Sequence, residues 1–117
     1  MGRKTIIDLQ LEILKKWRKY YENIDYYLQK IKKIAKEYDS SAKVILFGSI
    51  VEGTSRPGSD IDVLIITDLA KNVEDRIELR MKIAEQIGDI TPFEFHIITR
   101  EEYEGWYKRF INKYREI

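Results

Sequence analysis

The chain has 117 residues, with 21 Lys and Arg against 20 Asp and Glu, and it contains no cysteine. This length predicts one domain over residues 1–117, and the lack of cysteine excludes disulfide scaffolds, thiolate metal sites and thiol catalysis. The balanced charge removes the bulk electrostatic attraction to nucleic acid, so no direct nucleic-acid binding is expected. No apolar run approaches the roughly 20 residues that span a bilayer, and the first residues show no signal-peptide core. We therefore expect a cytoplasmic protein without a membrane contact.

An apolar stripe with steps of three and four residues predicts helix through the first third of the chain, as far as Asp39. Its members are Ile7, Leu11, Leu14, Trp17, Tyr21, Ile24, Leu28, Ile31, Ala35 and Tyr38. We expect one continuous or kinked helix, and the alternative is two helices joined near Asn23. Because exposed apolar stripes of this length are rarely left in contact with water, we also expect a homo- or hetero-oligomer that forms through this N-terminal helical segment.

The rest of the chain alternates between strand and helix signals. In chain order they predict a strand at 43–47, a loop at 48–59 that includes one helical turn at 49–52, a strand at 61–67, a helix at 73–87, a strand at 93–98 and a last helix from Arg100 to about Tyr114. This order predicts an α/β (α+β) fold: a small mixed sheet of three or more strands with helices packed against it. Residues 1–39 form the helical N-terminal part, 43–99 the α/β core and 100–117 the C-terminal helix.

The loop after the first strand carries the residues that suggest chemistry. Gly48 ends the strand and lets backbone approach an anion closely, and Ser49 then offers an N–H and a hydroxyl where a helical turn begins, which is typical of a phosphate cradle. Asp60 and Asp62 follow with one residue between them, so in a strand both carboxylates project from the same face. Such a pair is stable when a cation lies between its members, and Mg²⁺ prefers carboxylate, water and phosphate oxygens. The pattern therefore predicts a metal–nucleotide site.

A third carboxylate is expected from Glu94, which lies inside the apolar strand at 93–98. A carboxylate in such a strand is costly without a partner, and a neighbouring strand that carries Asp60 and Asp62 would supply one through a shared metal. His96 is the single histidine and shares the face of Glu94. A structural role is the favoured interpretation of His96, with a place at the border of the site as the alternative.

Gly48-Ser49, ten intervening residues and Asp60-x-Asp62 together resemble the signature of the polymerase-β-type nucleotidyltransferase superfamily, and in particular its minimal nucleotidyltransferases. The resemblance extends from about Lys43 to Thr99. It implies the nucleotidyltransferase fold, phosphate contacts from Gly48 and Ser49, and Mg²⁺ held by Asp60 and Asp62. Glu94 matches the third carboxylate, which would bind a second metal or take the proton of the acceptor hydroxyl. The implied reaction is transfer of a nucleoside monophosphate, AMP from ATP or the equivalent from another nucleoside triphosphate, with release of pyrophosphate.

Two departures from the family pattern affect these expectations. The third carboxylate is most often Asp in the family, and the longer Glu94 puts the role of proton acceptor in doubt more than the role of metal ligand. Many relatives carry Arg in the middle of the loop, where this chain has Glu52. Arg56 is the candidate for that positive charge, with an exposed loop arginine as the alternative, and Ser59 is the remaining loop candidate for nucleotide binding.

The resemblance also implies a partner. Minimal nucleotidyltransferases are commonly paired with a small helical HEPN protein, in a system where the HEPN protein is the toxin and the nucleotidyltransferase the antitoxin. The expected function is therefore nucleotidyl transfer to a hydroxyl of a HEPN toxin. The alternatives are a non-catalytic nucleotide-binding antitoxin that neutralises the toxin by forming a stoichiometric complex, and transfer to a small molecule or an RNA end. The chain shows no separate acceptor domain, which favours an acceptor that a partner delivers.

Overall fold

A computed structural model describes residues 3–117 and shows a mixed four-stranded sheet with helices packed against it, which confirms the predicted fold class. The helices are α1 (Ile6–Glu22), α2 (Ile24–Tyr38), α3 (Ser49–Glu52), α4 (Val73–Ile87) and α5 (Arg100–Gly105), with 3₁₀ turns at Asp68–Lys71 and Tyr107–Arg109. The strands are β1 (Lys43–Phe47), β2 (Ile61–Ile66), β3 (Phe93–Ile98) and β4 (Tyr114–Glu116). The predicted single domain starts at residues 1 and 2, which lie outside the described residues, and its extent stays a prediction.

The N-terminal helical segment is two helices rather than one. Asn23 separates α1 from α2 with φ −126° and ψ 36°, which is not a helical conformation. Its backbone N–H and its side-chain Nδ2 both donate to the carbonyl of Lys19, at 3.1 and 2.9 Å, so the residue caps the end of α1. Asn tolerates such a cap because its short amide side chain satisfies backbone groups at helix ends. The expected continuous helix was wrong, and the alternative break near Asn23 was right.

The sheet has the strand order β3-β2-β1-β4. Strand β1 is antiparallel to both β2 and β4, whereas β2 and β3 are parallel and are joined by the connection that contains α4. The register places Phe47 opposite Asp62 and Asp62 beside Glu94. Three neighbouring strands therefore bring their functional candidates to the same level of the sheet.

Each face of the sheet packs against a different part of the chain. One face carries Val44, Val63 and Ile97, and it is covered by α2 and α4 in the main core. The other face carries a smaller cluster of Ile45, Leu64, Ile66 and Ile98, against which Tyr103, Tyr107 and Ile111 of the C-terminal segment pack. Asp62 and Glu94 belong to this second face by strand alternation, at the end that the C-terminal segment leaves open.

The predicted C-terminal helix over 100–117 was wrong. Thr99 and Glu102 do form the capping box that starts α5, but the helix ends at Gly105 and the chain finishes as β4. Glycine is a poor helix former, and the outer edge of β1 needs hydrogen-bond partners. Strand β4 supplies them through pairs such as Leu46 with Arg115. Within residues 3–117, no helix has the length and apolarity needed to cross a membrane.

Candidate active site

Asp62 and Glu94 form the centre of the site, because they are register partners on the parallel strands β2 and β3. Their side chains keep 24% and 52% of their surface exposed, so both carboxylates can reach solvent or a ligand. Like charges on neighbouring positions of one sheet face repel each other unless a cation lies between them. The pair is therefore placed as the sequence analysis predicted, at an open edge of the second sheet face.

His96 joins the two carboxylates from the next inward position of β3. Its Nε2 lies 3.7 Å from Oδ1 of Asp62 and 3.8 Å from an oxygen of Glu94, and the atom is buried. Within residues 3–117 it has no hydrogen-bond partner. The ring lies between Phe47 and Tyr107, with centroid distances of 5.4 and 6.1 Å, so the imidazole is held with Nε2 directed towards the carboxylates.

Asp60 completes the acidic group from the position just before β2. Burial raises the pKa of its carboxyl, and the negative charge of Glu94 and a hydrogen bond with the Glu94 side chain raise it further. Glu94 is thus close to both aspartates. The structure brings all three predicted carboxylates together, although Asp60 and Asp62 lie about thirty residues before Glu94 in the chain.

Gly48 forms the wall on the other side of Asp62. Its φ of +83° is a conformation that favours glycine, and a Cβ built on it would collide with the Asp62 carboxylate. Backbone and carboxylate thus pack directly against each other. Ser49 follows as the first residue of α3, and the predicted helical turn over 49–52 is present.

The loop before Asp60 folds on itself and on α1. The Ser59 hydroxyl accepts from the N–H of Arg56 at 2.9 Å, and the Ser59 N–H donates to the Arg56 carbonyl at 2.9 Å, so Ser59 closes a turn. The Tyr21 hydroxyl of α1 donates to the Ser59 carbonyl. Arg56 is exposed and lines a groove of about 500 Å³ beside Leu11 and Leu14, away from the carboxylates. Among the ion pairs of residues 3–117, none joins Arg56 to an acidic residue of the site.

The arrangement suits a divalent cation. Asp62, Glu94 and His96 each offer one ligand atom, and these atoms lie within 4.8 Å of one another. Two carboxylates and an imidazole are ligands of several divalent ions, and carboxylates on an open edge leave positions for water and phosphate oxygens. A cation at this point would also relieve the repulsion among the three carboxylates. The site can therefore hold a metal-bound anionic ligand next to the Gly48 backbone.

Sequence reasoning underestimated two residues. His96 was interpreted as structural, yet its place two residues after Glu94 on the same strand face was the signal that it borders the site. Tyr21 was placed in the apolar stripe, and its hydroxyl contact with Ser59 had no sequence signal because 38 residues separate them. Burial raises the pKa of Tyr21, and the nearby charge of Asp60 adds to this effect. Tyr21 therefore lies close to the acidic group from the α1 side.

Comparisons with known proteins agree with this geometry. A family model described as a nucleotidyltransferase domain matches residues 28–117. A crystal structure described as that of a "putative nucleotidyltransferase" is 42% identical, with a TM-score of 0.64, and the match covers 76% of this chain and 95% of that chain. Another, of a protein from Sulfolobus solfataricus with the same description, is 20% identical over 99% of this chain and 89% of that chain; its TM-score of 0.54 supports the fold alone. No protein of curated function matches. The family match spans well over half of the sequence, and the chain therefore belongs to the nucleotidyltransferase domain family, whose members are nucleotidyl-transferring enzymes.

Proposed function

We propose that this protein is a Mg²⁺-dependent nucleotidyltransferase that transfers AMP from ATP to a hydroxyl group. The observation that carries the proposal is the register of Asp62 with Glu94 on adjacent parallel strands, with the Gly48 backbone against Asp62. Carboxylates at this spacing next to a backbone without a side chain are the parts that metal-assisted phosphoryl transfer requires.

Asp60, Asp62 and Glu94 would hold the Mg²⁺, which when bound supplies neutralisation of the negative charge on the triphosphate. Gly48 and Ser49 would contact the β- and γ-phosphates. The acceptor oxygen attacks the α-phosphorus, a new P–O bond forms, and the bond from that phosphorus to the bridging oxygen breaks, so pyrophosphate leaves. Glu94, whose side chain is half-exposed at the open edge, would receive the proton of the hydroxyl. Positioning and charge stabilisation supply most of the rate enhancement in such a reaction.

The acceptor that we propose is a hydroxyl on a helical HEPN-type toxin, which the transferred AMP would silence, so that this chain acts as the antitoxin. The support is the resemblance to minimal nucleotidyltransferases together with the open edge of the sheet, where Asp62 and Glu94 remain accessible to a large acceptor. Binding of the two proteins would bring the acceptor hydroxyl to this edge.

Transfer of label from α-labelled ATP tests the proposal. The protein, Mg²⁺ and a HEPN-type protein encoded beside it would be incubated together, with Asp62→Asn as the inactive variant and Asp75→Asn as the matched control. Asp75 lies on α4, which packs on the opposite face of the sheet. We expect a labelled partner with the parent and with Asp75→Asn, and a loss of about 10²–10³-fold or more with Asp62→Asn, because a charge that stabilises the transition state is removed.

Unchanged transfer by Asp62→Asn would contradict the proposed role of the site. A second result separates the alternative of a stoichiometric antitoxin. If an Asp60→Asn/Asp62→Asn variant neutralises the toxin fully and no label appears on it, complex formation rather than nucleotidyl transfer is the activity. Removal of Mg²⁺ with a chelator is expected to abolish transfer, and addition of the ion in excess is expected to restore it.

A further inference from the structure

Helix α1 is covered by the rest of the molecule only in its second half. Tyr20 is 2% exposed and its hydroxyl donates to the Ile87 carbonyl, so this end is fixed in the main core. Ile6 and Ile7 are 74% and 67% exposed at the other end. The molecule measures 52 Å along its longest axis, against 30 and 23 Å along the others. A helix of 17 residues is about 26 Å long, and its first half extends beyond the packed core.

The projecting half is apolar along the same row that is buried further on. Ile6, Leu9 and Ile13 follow one another in steps of three and four, and their exposed fractions are 74%, 46% and 40%. Tyr20 continues this row two turns after Ile13 and is buried. The row is therefore covered by the rest of the chain at one end only. A helix row of this kind is typical of a surface that another chain covers.

The charges beside this row indicate which chain covers it. Asp8, Glu12, Lys16 and Lys19 follow in steps of four, four and three, with both acids in the first half and both bases in the second. When two copies of a helix pair in antiparallel orientation, each flank faces its own copy in reverse. Asp8 and Glu12 of one copy would then lie opposite the basic half of the other. A parallel pair would instead place like charges against each other.

We propose that α1 forms an antiparallel homodimer, in which the row of Ile6, Leu9 and Ile13 packs against the same row of a second copy and the flank from Asp8 to Lys19 pairs with its own reverse. The family match begins at residue 28, so α1 lies outside the matched domain and is free to serve this purpose. The proposal does not depend on the proposed function, because none of these residues belongs to the acidic site.

Sedimentation equilibrium of the full chain over a range of concentrations tests the dimer. The parent is expected to reach twice the 14.0 kDa of one chain. Leu9→Gln/Ile13→Gln is expected to raise the dimer dissociation constant at least about tenfold, because two apolar side chains per copy lose their burial. The matched control is Ile77→Gln/Met81→Gln, the same change at the same spacing on α4, where both side chains are also exposed. It is expected to leave the dissociation constant unchanged. Circular dichroism and thermal unfolding check that each variant is folded.

A charge exchange tests the orientation and the identity of the partner. Lys16→Glu/Lys19→Glu makes the flank acidic, and Asp8→Asn/Glu12→Lys makes it basic. The amide oxygen that Asp8→Asn introduces can still accept from the Thr5 N–H, so the capping box at the helix start is kept. Each variant alone is expected to dimerise more weakly than the parent, and the equimolar mixture is expected to form a heterodimer.

Two results would overturn the proposal. One is a parent that keeps the mass of one chain at every concentration, even if another protein binds α1. The other is a dimer that both the apolar and the charge variants leave unchanged, since another face must then form the contact.

Discussion

Gly48 is the residue on which the geometry of the acidic site depends most directly. Its φ of +83° disfavours any side chain, and a Cβ there would meet the carboxylate of Asp62. The glycine therefore serves two needs at once: the turn from β1 into α3 and the close packing of backbone against Asp62. The second need follows from the strand partner opposite, which only the folded sheet provides.

We expect Gly48→Ala to lower the free energy of unfolding by about 1–3 kcal/mol, because a residue with a Cβ must adopt a strained backbone and displace Asp62. Urea unfolding measures the change. The control is Gly105→Ala, where φ is ordinary and a Cβ would meet no atom within 4 Å, and this variant is expected to be at least as stable as the parent. Equal stability of Gly48→Ala and the parent would show that the turn accommodates a side chain.

The acidic residues themselves could be predicted at the residue scale, and His96 could be predicted only in part. The alternation of a strand places Asp60 with Asp62 and Glu94 with His96 on one face each, whatever the fold. The distance of 3.7 Å from Nε2 of His96 to Asp62 depends on the parallel register of β2 and β3 and on the aromatic rings that hold the imidazole. No local pattern contains that information.

At the scale of elements, Asp39 joins the end of α2 to the end of β2. Its carboxylate accepts from the buried Thr67 hydroxyl at 2.7 Å and from the Ser41 N–H at 2.9 Å. The Thr67 hydrogen bond is the main reason why the pKa of Asp39 lies below its ordinary value. The charged form of this side chain therefore holds two elements of the core together.

Asp39→Ala is expected to lower the free energy of unfolding by about 1–2 kcal/mol at neutral pH, because a hydrogen bond to a charged group is lost. A carboxyl whose pKa is lowered by folding stabilises the protein above its unfolded pKa of about 3.9, and this stabilisation disappears as the pH falls through the folded value. The difference between variant and parent should therefore narrow as the pH falls below about 4.

Urea unfolding of both proteins at several pH values measures this difference. The exposed Asp89→Ala serves as the control for the loss of one acid, and we expect it to remain within about 0.5 kcal/mol of the parent. A difference between Asp39→Ala and the parent that stays constant into the acid range would show that the charge of Asp39 contributes nothing to the contact.

The C-terminal segment shows where element prediction failed and why. The capping box at Thr99 and Glu102 is a local signal, and it correctly predicted the start of α5. The strand at Tyr114–Glu116 has only three residues, all exposed, and carries no apolar alternation. It forms because β1 offers a free edge some seventy residues earlier in the chain. A short edge strand of this kind is determined by its partner rather than by its own residues.

At the scale of the whole molecule, α1 has two halves with different roles. The second half contributes Tyr20 to the main core and Tyr21 to the loop before the acidic site. The first half contributes almost nothing to the packed core, since Ile6, Ile7 and Leu9 are all exposed. The stability of one chain should therefore depend on where within α1 the protein is shortened.

Removal of residues 1–9 is expected to change the free energy of unfolding of dilute protein by less than about 1 kcal/mol, because only exposed side chains are lost. Removal of residues 1–23 is expected to cost about 3–5 kcal/mol, since the cavity left by Tyr20 resembles that of a large aromatic replaced by alanine. Urea unfolding at low protein concentration measures both values without a contribution from dimerisation. Equal losses from the two truncations would contradict the division of α1.

The sequence by itself determined the strands and helices of the core, the helix caps and the candidate carboxylates, because apolar periodicity, capping residues and strand alternation are local properties. The tertiary structure alone decided the break at Asn23, the fourth strand and the approach of His96 and Tyr21 to the acidic residues. The last two depend on partners that lie far away in the chain, as with Tyr114 on β1 or Tyr21 on Ser59. Such contacts arise only once the sheet has brought distant segments together, and local propensity contains no record of them.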